Sequence, residues 1–244
     1  MLLVTEKQPT SIAIEWSGPA SGRESHPVES SAVLGALFVN YANLPSCTLA
    51  RVETTYNLIR PPFGTLRFAE MTKKELREYD RWFHDVLQQR IGELTKAMNS
   101  SAGFEGWKPS YTPGSLDSLG NWFASQVETR PHTPDELKNI PPHIRDWVSG
   151  GELTDRTISL AMDVGMYFSQ VFLRNNSSLK WDQIFGSKRF VDYGEPVLVG
   201  FGKVPFNPVR MMLTLAYGLA SNTKDGQRLR GIYDIWSKKS ADNC

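Results

Sequence analysis

Residues 157–172 read Thr-Ile-Ser-Leu-Ala-Met-Asp-Val-Gly-Met-Tyr-Phe-Ser-Gln-Val-Phe. The run is apolar enough to be interior and long enough to be a helix, yet Asp163 sits in its middle. Thr154 is a suitable N-cap, and Asn175-Asn176 supplies a stop, so the helix is expected to reach about Arg174. At about 3.6 residues per turn, Ile158, Ala161, Met162, Gly165, Phe168 and Phe172 share one face. Asp163 points nearly opposite, on a stripe with Arg156, Tyr167, Gln170 and Arg174. That stripe places Asp163 on the wet side, where its carboxyl needs no raised pKa. Tyr167, one turn on, lies within reach of it.

The same period recurs elsewhere. Thr72 and Glu75 have the spacing of a capping box. Leu76, Tyr79, Phe83, Val86, Leu87, Leu94 and Met98 then define an amphipathic helix over 72–98. A second helix is expected over 115–127. A short third follows the Thr133-Pro134-Asp135-Glu136 box, and one more turn is expected at 143–148. Asn207-Pro208 opens an apolar helix, and Leu229, Ile232, Tyr233 and Trp236 mark a last one over 227–239. Strand patterns lie mainly in the first third, at 12–16, 32–42 and 47–59, with two more at 179–185 and 196–202. No linker separates independent units. The expected architecture is a single α+β domain over 1–244, with a mainly antiparallel sheet flanked by several helices and partly irregular residues 1–30.

Charge narrows the function classes. The 27 basic and 26 acidic residues leave a net charge of +1, which gives no general drive toward nucleic acid or anionic lipid. The basic excess over 224–239 reads as a solvated helix face. Cys47 and Cys244 lack metal-type spacing and read as reduced thiols. The N-terminus shows no secretory pattern, and no run approaches the roughly 18 apolar residues that span a bilayer. A cytoplasmic protein is expected, with neither membrane nor nucleic acid as its partner.

Catalytic signatures are sparse. His26, His84, His132 and His143 form no ligand pair on one helix, so no metal or other cofactor is expected. Gly200-Phe201-Gly202-Lys203 lacks the spacing of a phosphate loop and reads as a tight strand-to-helix connection. No nucleophile elbow is present. The acids Glu75, Glu78 and Asp80 are interleaved with Lys73, Lys74, Arg77 and Arg81, as on a solvated helix face. Loop 99–115 carries Phe104, Trp107 and Tyr111 among Gly, Pro and Ser. Two readings stand: the rings pin the loop to the body, or they form part of a partner-binding surface.

The run from Ser159 to Trp181, then 190–202 and 206–220, resembles a group of uncharacterised bacterial soluble domains. The shared pattern falls at Asp163, Gly165, Tyr167, Leu179, Trp181, Asn207, Pro208 and Arg210, with 103–113 as a further part. The likeness spans roughly residues 70–235 and implies no catalytic residue. More loosely, a helix of this kind before a Trp-bearing strand is similar to those in immunity proteins of bacterial toxin systems. The expectation is a non-catalytic protein-binding or regulatory domain. The competing class is a hydrolase with dispersed residues Asp163, Tyr167 and Arg210, where Arg210 is the one charge in an apolar helix. An Asp163–Arg210 ion pair tying two helices together would explain the same residues without catalysis.

Overall fold

The computed structural model describes residues 56–64, 66–139 and 151–241. The strands expected at 12–16, 32–42 and most of 47–59 lie outside them. So do the turn at 143–148, both cysteines, His26 and His143.

The described residues form a mixed α and β structure in which helices predominate. In order they are α1 (Lys73–Asn99), α2 (Ser115–Gln126), β1 (Thr129–Arg130), α3 (Pro134–Asn139), β2 (Glu152–Leu153), α4 (Asp155–Asn175), β3 (Lys180–Gln183), β4 (Pro196–Val199), α5 (Pro208–Ala220) and α6 (Gln227–Ala241). The strands pair only as two antiparallel ladders, β1 with β2 and β3 with β4. A mainly antiparallel sheet is therefore not what organises this part of the chain. The long apolar segments carry the helical period, and each of the four strands is too short to bury a face of its own. Residues 56–59, expected to end a strand, take no regular secondary structure among the described residues.

The capping signals work as read. Thr72 N donates to Glu75 Oε2 at 2.7 Å and Glu75 N donates to Thr72 Oγ1 at 3.3 Å. Thr133 and Glu136 repeat the exchange ahead of α3. Thr157 N donates to Thr154 Oγ1 at the start of α4. Asn207 Oδ1 accepts from Arg210 N at the start of α5, where Pro208 takes the first turn. On α6, Arg230 Nε donates to Asp234 at 2.9 Å, one exposed pair of the solvated face.

Helix α4 is the axis of the fold. Every residue from Thr157 to Ser169 is buried, as are Val171 and Phe172. It packs against α5, α1 and α2, and α2 packs in turn against α6. The contact with α5 passes through Gly165, where a Cβ would lie 3.0 Å from Pro208 O and Val209 Cα. Farther along α4, Phe168 and Phe172 meet Phe201, Phe206 and Tyr233. Trp236 closes that cluster over Phe206, with ring centroids 4.6 Å apart. No described helix is long and apolar enough to cross a membrane.

Gly165→Ala tests the close approach. Alanine gains up to about 1 kcal/mol of helix propensity, but overpacking against α5 backbone costs about 1–3 kcal/mol. The expected outcome is a net loss of up to about 2 kcal/mol in urea unfolding. Equal or greater stability would mean that α5 moves away freely.

Candidate functional site

Asp163 is not on a wet stripe. It is buried between α4, α1 and residues 56–59. Arg90 of α1 grips it with two bonds, Nε to Oδ1 at 2.8 Å and Nη2 to Oδ2 at 2.7 Å. Tyr56 donates to Oδ2 at 2.5 Å. The remaining Arg90 donors reach Asn57 O at 2.8 Å and Tyr56 Oη at 2.9 Å. Ser159, one turn before Asp163, accepts from Ile59 N at 2.7 Å. The polar stripe of α4 is thus covered piece by piece: α1 and residues 56–59 close over Asp163, Gln126 takes Arg156, and loop 99–115 meets Tyr167 and Arg174.

Burial pushes the Asp163 carboxyl up to about 6, and Arg90 opposes the rise. Burial also works against the charge on Arg90, yet the Asp163 bonds win and hold its pKa above the ordinary value. The Tyr56 phenol is driven up by burial and by the Asp163 charge. The result is an ionised pair at neutral pH beside a protonated phenol. Every oxygen of the carboxylate is satisfied, as a desolvated ion pair requires.

Tyr167 does not join Asp163. Its hydroxyl accepts from Tyr111 N at 3.0 Å and bonds Ser115 Oγ at 2.7 Å. Trp107 meets the Tyr167 ring edge-on and Tyr111 lies tilted against it, each with centroids 5.3 Å apart. Arg174 lies over the Tyr111 ring at 3.4 Å from its centroid, and Asn175 donates to Tyr111 O at 2.8 Å. These contacts hold Tyr111 at a φ of 58°, a left-handed conformation that a bulky residue adopts only under constraint. Phe104 is half-buried against the same core. The aromatic loop is clamped onto α4, with its rings partly exposed.

Arg210 belongs to a third network. Its Nε donates to Asp192 Oδ1 at 2.8 Å, and its Nη2 donates to Val191 O at 2.6 Å and to Glu195. Asn207 donates to both carboxylates, at 3.0 Å to Asp192 and 2.7 Å to Glu195. The expected Asp163–Arg210 pair is absent because each finds a nearer partner: Arg90 for Asp163, the loop before β4 for Arg210. Burial pushes the Glu195 carboxyl up to about 7, against Arg210 and with Asp192. Its side chain is 13% exposed.

The three residues of the hydrolase reading therefore sit in three separate networks. Sequence reading missed Arg90, Tyr56, Asp192 and Glu195. For Arg90 a signal existed: positions 83, 87, 90 and 94 are one helical face, and a charge among three apolar residues implies a buried partner. Asp192 and Glu195 carry no periodic signal, because they lie in a turn.

The Gly200–Lys203 stretch is a tight loop after β4, and chain pairing resumes where Leu198 faces Phe206. Gly200 takes a φ of 115°, and a Cβ there would lie 2.7 Å from Ser178 O. The glycine serves the turn. Among the described residues, no group of three or more His, Cys, Asp or Glu is placed to hold a metal ion. Comparison with protein-family models, with curated proteins and with solved structures finds no match to this chain.

Two predictions follow from the charged networks. Asp163→Asn leaves the Arg90 charge buried without its counterion and should cost about 3–5 kcal/mol. Arg90→Met strands the carboxylate and should cost a similar amount. The double variant Arg90→Met/Asp163→Asn should cost well under the sum of the two single losses in a double-mutant cycle. Additive losses would refute the pairing.

Glu195 supplies a pH dependence. Its pKa is about 7 in the fold against an ordinary 4.5. The folded state thus binds a proton that the unfolded chain releases between those values. Its contribution to stability is full below pH 4.5 and is lost as pH rises to about 7. Glu195→Gln should flatten the stability profile across that window in urea unfolding. A profile unchanged from wild type would place the Glu195 pKa elsewhere.

Proposed function

We propose that this protein acts by binding another protein rather than by catalysis. A regulatory or toxin-neutralising domain of a bacterial cytoplasm is one form of that role. The observation that carries the reading is where apolar surface is left uncovered. Phe190 at 36% exposure, Val191 at 48% and Val204 at 51% lie in the loops before and after β4. The two loops converge on the start of α5. Val191 O and Asp192 bond Arg210 and Asn207, and Val204 lies three residues before Asn207. Apolar side chains held out on a braced loop are what a binding surface needs, because little order is lost on association.

The aromatic loop is a second part of the proposed surface. Phe104, Trp107 and Tyr111 are half-buried, so their exposed edges are preformed. The alternative, a hydrolase around Asp163, Tyr167 and Arg210, would need residues that sit in three separate networks. It has less support, since Asp163 and Tyr167 are spent on separate internal partners.

The test is affinity capture from lysate of the native source, with wild type and a Phe190→Ser/Val191→Ser variant side by side. Both residues are exposed, so the variant should unfold at the wild-type temperature. A reproducible stoichiometric partner that the variant fails to retain is the expected outcome. A partner held equally by both proteins would move the surface to the aromatic loop, and no partner at all would count against binding as the function.

A further inference from the structure

Residues 56–59 lie against α1 and α4 in the manner of a bound peptide. The sides of a helix offer no free main-chain groups, so a segment that crosses two helices is read by side chains. Arg90 Nη1 of α1 donates to Asn57 O at 2.8 Å, and Ile59 N donates to Ser159 Oγ of α4 at 2.7 Å. Tyr56 donates its hydroxyl proton to Asp163 Oδ2 and accepts from Arg90 Nη2 at 2.9 Å. With that proton committed, Ser159 Oγ, 2.9 Å away, donates to the same phenol oxygen. Asn57 Nδ2 adds a bond to Glu93 of α1 at 3.1 Å. Ile59 is 4% exposed and belongs to the core cluster. One carbonyl, one amide, one phenol and one aliphatic side chain of the segment are thus each received by the helical body.

The receiving groups do not need the segment. Arg90 and Asp163 keep their two mutual bonds without it, and Glu93 keeps Lys96 at 2.9 Å. Removal hands some Arg90 donors and the Ser159 hydroxyl to water but strands no charge. The connection toward α1 is open as well. Arg60, Pro62 and Gly64 are exposed, and a Cβ at Gly64 would meet nothing within 4 Å. Pro61 and Pro62 have no amide hydrogen with which to bond the body. Among the described residues the segment enters no strand ladder. It is held by a handful of contacts, so its local opening costs far less than global unfolding.

We propose that α1 and α4 form a peptide-recognition seat, lined by Arg90, Glu93, Ser159 and Asp163, which the chain fills with its own Tyr56-Asn57-Leu58-Ile59. The segment opens as a unit, and the vacated seat takes a peptide with the same groups. Such a peptide carries a Tyr whose hydroxyl meets Asp163 and, three residues on, an aliphatic side chain. Main-chain bonds supply hold, and the two buried side chains supply selectivity. The inference does not rest on the binding function proposed above, whose surface is the loop that carries Phe190 and Val191.

A fluorescent synthetic peptide with the sequence of residues 54–62, titrated onto the full chain and followed by anisotropy, is the direct test. Tyr56→Ala in the protein weakens the segment's own hold on the seat. The peptide should bind that variant saturably and about tenfold or more tighter than wild type, where the seat is filled in cis. A peptide carrying Tyr56→Ala and Ile59→Ala should not bind, and adding Ser159→Ala to the protein should weaken the unaltered peptide. No saturable binding to the Tyr56→Ala protein, or equal binding of the altered peptide, would overturn the inference. Native-state hydrogen exchange on wild type needs no variant and decides the case where Tyr56→Ala does not fold. The Ile59 amide should exchange at least about tenfold faster than the buried amides of α4. Exchange of Ile59 at the α4 rate would mean that the segment leaves only when the whole fold opens, and would overturn the inference equally.

Discussion

The structure depends on one desolvated ion pair. Arg90 and Asp163 face each other where α1, α4 and residues 56–59 meet. Neither charge would tolerate that position alone, because removing an ion from water costs several kcal/mol. Together they form a fork, and Tyr56, Asn57 and Ser159 absorb the remaining donors and acceptors. An apolar pair of similar volume would stabilise the same contact as well or better. What the ion pair adds is selectivity: only one rotation of α1 against α4 satisfies all of these bonds at once.

That fixed rotation sets the rest. With α1 held on one side of α4, the small residue Gly165 admits α5 on another side, and the α5 cap carries Asn207 and Arg210. Arg210 and Asn207 then organise the turn before β4 by holding Asp192 and Glu195. The same α1 presents Leu76 to that turn from the other side. The loop that leaves Phe190 and Val191 exposed is therefore anchored at two points, each traceable to α4. Its exposure is a consequence of rigid support, not of loose chain.

The helices were legible in the sequence because their signals are local. A capping box needs four consecutive residues, and the apolar stripe of α1 needs only the spacing of Leu76, Tyr79, Phe83, Leu87 and Leu94. The environment of Asp163 was not legible, because burial is decided by what arrives from far along the chain. Arg90 is 73 residues away and Tyr56 is 107. A helical stripe of Arg156, Asp163, Tyr167 and Arg174 looks the same whether water or another helix covers it. Charge at position 90, on an otherwise apolar face, was the clue that the polar stripe had a partner. Asp192 and Glu195 offered no such clue. They gain their role only because Asn207 caps α5 beside them, and a turn has no period to betray its neighbours.

Two kinds of cation in this protein differ in how their donors are used. Arg90 and Arg210 are surrounded by carboxylates and carbonyls, so their donors are consumed. Arg189 is exposed on a braced loop, and the exposed Lys188 beside it reaches the Tyr193 ring, at 5.9 Å from the centroid. Exposed lysines are common and single ones need no explanation. Here Lys188 and Arg189 directly precede the exposed Phe190 and Val191, while Lys73 and Arg77 of α1 lie near the Phe185 ring. By tying Asp192 and Glu195 to Arg210, the fold fixes the turn before β4, and the internal network thereby sets the loop on which Phe190 and Val191 are exposed.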